Sequence, residues 1–275
     1  MAPSRFSATI VTFHPDAALF ARAAGSLAAA VGRARDAGVI SESHVFIVDN
    51  GDASSADVAR HAVKVLEESG ITVELVTGHG NVGYGRANNL VLPRLDSEFH
   101  LVMNPDVELD HEALVAALRA LEGDPSIGLV APDACGAKGE RQYLCKRYPS
   151  VWVLFLRGFA PAILRRAFSR SLDRYEMRDV LGSQPYSPVP LASGCFMVVR
   201  TTLFRRLGGF DPRFFMYFED YDLSLRVGRE AKVAFVPSAR IVHHGGEASR
   251  KGPRHVSWFV RSAWRFFATH GWKIA

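Results

Sequence analysis

Over its first half the chain alternates short, β-branched apolar runs with longer amphipathic ones, and most of the apolar runs stop at a polar residue. This pattern constrains the fold more than any other feature of the sequence. Residues 7–12 (SATIVT), 44–48 (HVFIV), 71–76 (ITVELV), 100–103 (HLVM) and 127–131 (IGLVA) are too short for helices and carry the side chains of buried strands. Between them, Leu19, Ala23, Leu27 and Val31 recur every four residues, which is helical spacing, and Gly38 closes that helix. Ser54 and Asp57 form a capping-box pattern ahead of Val58, Ala62 and Leu66. A short helix is predicted from Arg86 and another over 110–121. Such βα alternation implies a mostly parallel sheet with helices on both faces. Ligands of these sheets lie at the carboxyl ends of the strands. Thr12, Asp49, the glycine-rich loop 78–85 and Asp106 all sit at those ends.

The second half is less regular. Residues 191–199 (LASGCFMVV) read as a strand, 201–207 as a short helix and 210–218 as an aromatic loop leading into Glu219-Asp220-Tyr221-Asp222. A helix is expected over 222–229 and a last strand over 233–236, ahead of His243-His244-Gly245. Residues 253–272 read as a helix loaded with Trp, Phe and Arg. The chain of 275 residues therefore reads as one α/β domain over 1–250 and an amphipathic helical tail over 251–275. With 48% hydrophobic and 22% charged residues, disorder is excluded for its bulk. Three widely spaced cysteines, Cys135, Cys145 and Cys195, exclude a disulfide scaffold and suit a reducing compartment. The longest apolar stretch, 151–164, is interrupted by Arg157 and Pro161, so no membrane-spanning helix is expected. A cytoplasmic protein is expected. A net charge of +5 calls for an anionic partner.

Four features can carry chemistry. Asn104-Pro105-Asp106 ends a buried strand, because Pro105 cannot continue the ladder. The exposed Asp106 carboxylate suits a hard divalent cation, or caps its own turn. Glu219-Asp220-Tyr221-Asp222 follows five residues rich in aromatics. Carboxyls beside an apolar wall have raised pKa values and suit general-base work, while one of them can simply cap a helix. His243-His244 at a strand end includes a candidate metal or phosphate ligand, or merely an exposed pair. Gly83-Tyr84-Gly85 lacks the glycine spacing of a dinucleotide fingerprint and follows the wrong strand, but glycine there lets a sugar or phosphate approach the backbone. Arginines and aromatics alternate over 157–174 and again over 258–267. Amphipathic packing, a membrane interface and nucleic acid are the readings of that alternation.

Taken in order, these segments resemble family 2 glycosyltransferases of the GT-A fold, in particular the bacterial rhamnosyltransferase group. The matching stretches are Ile10-Val11-Thr12-Phe13, Val48-Asp49-Asn50, the run 81–89, Asn104-Pro105-Asp106, Ser193-Gly194-Cys195, Gly208-Gly209-Phe210-Asp211, 218–223 and His243-His244. They span roughly residues 9–245. The resemblance implies an α/β GT-A fold, a Rossmann-like mostly parallel sheet flanked by helices, with the C-terminal helical tail. It implies a nucleotide-sugar-binding half over 1–110 and an acceptor-side half over 111–250. Thr12 and Asp49 would hold the nucleotide, and Asn81, Gly83, Arg86, Asn104 and Glu219 would line the donor pocket. Asp106, with His243 or His244, would hold Mg²⁺ or Mn²⁺. Asn104 stands where the family's Asp-X-Asp motif begins with an acid, which weakens the expectation of a metal. Asp220 matches the catalytic base.

The implied activity is inverting transfer of a sugar, foremost L-rhamnose from dTDP-L-rhamnose, in cell-surface polysaccharide and lipopolysaccharide synthesis. The acceptor would be a saccharide or a polyprenyl-diphosphate-linked one, met by a protein peripheral to the inner, anionic membrane face. The alternatives are another donor such as a UDP-sugar, or a non-catalytic nucleotide-sugar-binding protein. Nucleotidyl transfer is disfavoured because Thr12-Phe13-His14-Pro15 lacks a glycine-rich phosphate loop, and no specific nucleic-acid binding is expected.

Overall fold

A computed structural model describes residues 3–245 and 252–275. Its elements run β1 (Ser4–Thr12), α1 (Ala17–Asp36), β2 (Ile40–Asp49), α2 (Ala53–Glu68), β3 (Thr72–Val76), α3 (Tyr84–Asn89), β4 (Phe99–Met103), β5 (Val107–Leu109), α4 (Ala113–Gly123) and β6 (Ile127–Cys135). Then follow β7 (Arg141–Gln142), α5 (Val151–Gly158), α6 (Ala162–Ala167), α7 (Ser169–Tyr175), β8 (Phe196–Arg200), α8 (Thr201–Arg206), α9 (Glu219–Val227), β9 (Lys232–His243) and α10 (Pro253–His270).

One sheet runs β3-β2-β1-β4-β8-β6-β9-β5, with β7 on the edge of β6. The first four strands are parallel, as their α-helical crossovers require. Beyond β4 the sheet is mixed. β8 enters antiparallel between β4 and β6, β9 lies parallel to β6, and β5 antiparallel to β9. Register gathers the polar loops at one edge. Thr12 stands opposite Asp49, Met103 opposite Phe196, and Val107 opposite His243. The segments 104–106, 193–195 and 243–245 therefore meet beyond the same strand ends.

Both faces of the sheet are covered. Phe20, Leu27 and Val31 of α1, Leu66 of α2 and Leu118 of α4 close one face. Phe204, Phe210, Leu223 and Val227 close the other. The helix over 53–68 is not capped by the box expected at Ser54 and Asp57. Asp52 caps it, its Oδ1 accepting from the Ser54 and Ser55 backbone N–H groups, because the turn at 49–51 ends one residue before it. Asp57 instead pairs with Arg60 on the exposed face. The last strand is longer than its apolar run, reaching His243, and β5 carried too few residues to be read as a strand.

The helix expected from 222 starts three residues earlier, at Glu219. Tyr217 and Phe218 just before it are both left-handed, with φ of 69° and 66°. Two consecutive bulky residues in that region cost about 1–3 kcal/mol each. Packing holds them there: Phe214 and Phe218 are buried in an aromatic cluster with Leu154 of α5 and Phe266 and Phe267 of α10. The C-terminal helix thus lies against the loop that presents Glu219 and Asp220. The expected boundary at residue 250 lies outside the described residues. Among the described residues no helix is long and apolar enough to cross a membrane.

Candidate active site

Thr12 and Asp49 end adjacent strands and are almost fully buried. The Thr12 hydroxyl donates to Asp49 Oδ1 at 2.8 Å, and Ser55 Oγ and the Gly51 N–H donate to the same oxygen at 2.5 and 3.2 Å. Asp49 is thereby fixed through one oxygen. The other, Oδ2, is buried and has no partner among the described residues, which leaves an acceptor for a ligand donor. Next to it, Asn50 bonds the Gly83 carbonyl at 3.3 Å and His79 Nε2 at 2.9 Å. His79 carries no sequence signal beyond its place in the glycine-rich loop.

That loop has a different purpose from the one expected. A Cβ on Gly83 would lie 2.3 Å from the Phe215 carbonyl oxygen, and φ there is +90°. The Tyr84 N–H donates to that same carbonyl at 3.1 Å. What Gly83 admits is the aromatic loop, so its Cα is not open to substrate. Gly85 likewise lets the Phe210 side chain approach. Asn81 Oδ1 accepts from the Gly83 N–H at 3.0 Å, and exposed Arg86 donates to the Pro212 carbonyl at 2.6 Å. Asn81 thereby shapes its own loop, and Arg86 braces the junction between the two loops.

The three carboxylates of 219–222 separate into distinct environments. Asp220 Oδ2 accepts from the Gly194 N–H and Oδ1 from the Tyr221 N–H, each at 2.9 Å. The Tyr84 hydroxyl, which burial keeps protonated by raising its pKa well above 10, donates to the Gly194 carbonyl at 2.6 Å. Gly194 is thus held through both of its flanking peptide groups, one bonded to Asp220 and the other to Tyr84. Glu219 is buried, and its Oε2 has no partner among the described residues. Burial raises both carboxyls above the ordinary range, and the Asp220 charge adds to the effect on Glu219. The backbone donors and the Arg157 guanidinium oppose the rise at Asp220. Asp222 faces the other way. It accepts from Arg226 at 2.7 Å and from His270 of α10 at 2.8 Å, so it ties the tail to α9.

Asp106 and one of the two histidines converge. Gln142 Nε2 donates to the His243 carbonyl at 2.9 Å, which leaves Gln142 Oε1 to accept from His243 Nδ1–H at 2.9 Å. His243 Nε2 then faces Asp106 Oδ1 at 3.9 Å. That Asp106 oxygen is buried without a hydrogen-bond partner among the described residues. His244 is not brought to the carboxylate: its ring bonds Glu108 at 2.5 Å, and only its backbone N–H reaches the Asp106 carbonyl. Alternation along the strand end sends the two rings to opposite sides. Among the described residues no group of three or more His, Cys, Asp or Glu could hold a metal by itself. A carboxylate, an oriented imidazole and open positions nonetheless fit a hard cation that takes its remaining oxygens from a substrate diphosphate. The segment 193–195 joins the two acidic groups. Gly194 holds Asp220, and the Cys195 carbonyl accepts from the Asn104 N–H at 2.9 Å.

Comparison with known proteins identifies the family and the fold. The sequence profile of Glycosyl transferase family 2 matches residues 20–208. The chain is 29% identical over 243 residues to N-acetylglucosaminyl-diphospho-decaprenol L-rhamnosyltransferase of Mycobacterium tuberculosis, covering 83% of this chain and 76% of that one. It is 25% identical over 199 residues to rhamnosyltransferase WbbL of Escherichia coli K12, covering 69% and 71%. Among solved structures, the mannosyltransferase PcManGT of Pyrobaculum calidifontis, in complex with GDP-Man and Mn²⁺, superposes with a TM-score of 0.60 at 17% identity. That match covers 96% of this chain and 65% of the other. It shows the fold.

Proposed function

Because the chain belongs to glycosyl transferase family 2, we propose that its strand-end site transfers L-rhamnose from dTDP-L-rhamnose to a lipid-linked saccharide, with inversion at the anomeric carbon. The protein is a glycosyltransferase of the GT-A fold. The donor and acceptor follow from the two rhamnosyltransferases it resembles, one of them named for a diphospho-decaprenol acceptor.

The observation that carries this reading is the Asp220 carboxylate, held by two backbone N–H groups at the edge where Asp106 and His243 also converge. Asp220 takes the proton of the acceptor hydroxyl as that oxygen attacks C1 of the sugar. A positioned base of this kind contributes about 10²–10⁴-fold. Its burial raises its basicity, and the Gly194 and Tyr221 N–H donors favour the anion that accepts the proton. A single displacement assisted by one base inverts the centre, whereas retention needs a nucleophile beneath the sugar. Asp49, with its second oxygen open, accepts from the base or ribose of the nucleotide, and Thr12 orients it. Asn81, Arg86 and Asn104 border the donor, and Glu219 offers its unpaired oxygen to a substrate hydroxyl. Asp106 and His243 would hold Mg²⁺ or Mn²⁺, which supplies charge neutralisation for the departing diphosphate. The enzyme would work in the cytoplasm, peripheral to the inner membrane face where a lipid-linked acceptor resides.

A donor screen tests the proposal. dTDP-L-rhamnose, other dTDP-sugars, UDP-sugars and GDP-sugars are offered with Mg²⁺ or Mn²⁺ and a polyprenyl-diphosphate-linked GlcNAc, and release of the nucleoside diphosphate is followed. Acceptor-dependent dTDP release is expected. Faster turnover of a UDP- or GDP-sugar would overturn the donor assignment.

A further inference from the structure

Residues 151–168 supply six of the twelve large apolar side chains that are exposed among the described residues. Ile163 is the extreme, at 81% exposure, and Phe155, Leu164 and Phe168 are exposed as well. Single exposed apolar residues need no explanation, but a concentration of them marks a binding surface. These are not collapsed on one another at random. Trp152 stacks on Phe155 and meets Phe168 edge-on, with centroids 5.6 and 5.3 Å apart, so the rings form one apolar track along α5 and the end of α6.

Arg157, Arg165 and Ser169, which follow Phe155, Leu164 and Phe168 closely in the chain, line a cavity of about 300 Å³ between α5, α6 and α7, whose wall also includes Arg178. Its two acids are already engaged. Asp173 lies 3.3 Å from Arg178, and Glu176 pairs with Arg178 and with Lys146 at 2.6 and 3.3 Å. Arg157 and Arg165 have no carboxylate within 4 Å among the described residues. The cavity thus presents two guanidinium groups to whatever enters it, a pattern that selects phosphate. Arg157 also lies within electrostatic reach of Tyr175, whose hydroxyl meets that of Tyr221, the residue after Asp220, at 2.8 Å. The Arg157 charge also favours the ionised Asp220 carboxyl, which puts the cavity wall within electrostatic reach of the base.

We propose that this cavity is the acceptor's lipid-diphosphate site: the diphosphate lies against Arg157 and Arg165, and the first isoprenoid units run along Leu164, Phe168 and Phe155. The inference rests on the reading that the acceptor is lipid-linked, and it adds where and by which residues the lipid end is held. An amphiphile with an anionic head and a branched apolar tail satisfies both halves of the surface. A free sugar satisfies neither. The sugar that follows the diphosphate would then lie on the Tyr175–Tyr221 side, toward Asp220.

The test is calorimetric titration of the full chain with farnesyl diphosphate, the donor pocket first saturated with the nucleoside diphosphate it binds. Farnesyl diphosphate is expected to bind at least tenfold more tightly than farnesol or inorganic diphosphate. Arg165→Ala should weaken it about tenfold to a hundredfold, the range of one lost charge-assisted bond. Ile163→Asp, next to the track, should weaken it severalfold. Arg166→Ala, outside the cavity wall, should leave it within twofold. Equal losses in Arg165→Ala and Arg166→Ala would replace a site with diffuse attraction and overturn the proposal. So would equal affinity for inorganic diphosphate, or displacement of farnesyl diphosphate by phosphatidylglycerol vesicles, which would make the surface a bilayer contact. Absence of farnesyl diphosphate binding overturns the site alone, because sugar-donor turnover in the same preparation tests the glycosyltransferase reading independently.

Discussion

Asp220 and Asp222 are two residues apart on one helix, yet their substitution should damage different properties. In Asp220→Asn the side chain keeps one acceptor oxygen for two backbone donors, Gly194 N–H and Tyr221 N–H. One of those bonds is lost, about 1 kcal/mol, partly offset because a buried carboxylate with a raised pKa no longer has to ionise. Thermal midpoint should therefore move by no more than about 2–4 °C. The rate should fall far more, by about 10²–10⁴ in kcat, since an amide cannot take the acceptor's proton. Asp222→Ala inverts the pattern. It takes the carboxylate from Arg226 and His270, whose bonds to it are 2.7 and 2.8 Å in a nearly dry setting, and leaves Arg226 only the Leu207 and Gly209 carbonyls. Breaking one partner of such a pair costs about 3–5 kcal/mol, which lowers the midpoint by roughly 10 °C, while kcat of the folded fraction changes severalfold at most. Nucleoside diphosphate release gives kcat, calorimetry gives donor affinity, and differential scanning fluorimetry gives the midpoint. An Asp220→Asn enzyme that keeps a tenth of the wild-type kcat, or that loses donor affinity in proportion to rate, would refute the assignment of the base.

Burial raises the Glu219 carboxyl above its unfolded value, so its contribution to stability is present below about pH 4.3 and is lost as pH rises through the folded value. Glu219→Gln should accordingly raise the thermal midpoint more at pH 8 than at pH 5, and a pH-independent difference would contradict this. The raised Asp220 carboxyl places the acidic limb of kcat/KM above about pH 4, the ordinary carboxylate range, with activity falling as pH drops through it; a limb at or below the ordinary range would count against Asp220. Asp106→Asn and His243→Ala should each raise the Mn²⁺ concentration needed for half-maximal activity by about tenfold or more, the lower bound for disturbing a metal ligand set, whereas His244→Ala, bonded to Glu108, should change it little. Anionic vesicles should retain the protein on cosedimentation, and Trp264→Ala should weaken retention more than Trp258→Ala, because Trp264 is exposed and Trp258 packs on Phe215. Equal effects of the two would assign the tail aromatics to packing.

The alternation of strand and helix through residue 131, and the polar residues that end the strands, could be read directly because both are local. Burial on a sheet face imposes a period on neighbouring residues, and Pro105 or Gly38 stops an element wherever it stands. The acids Asp49, Asp106 and Asp220 were legible for the same reason: each follows an apolar run that must end. What each group bonds to was not legible, because the partners lie far along the chain. His243 and His244 are indistinguishable in sequence. Gln142, 101 residues away, turns one ring toward Asp106, while Glu108 takes the other. The glycine at 83 suggests a ligand until the Phe215 carbonyl is found against it. Asp220 and Asp222 differ only through Gly194 on one side and His270 on the other. Arg157 is one arginine among many until α5, α6 and α7 enclose a cavity around it. The sequence by itself determined the fold class and the edge of the sheet at which its polar strand ends gather. Only the tertiary structure decided which groups at that edge are already bonded and which are left open, because hydrogen-bond partners and cavities are made by segments that meet only after folding.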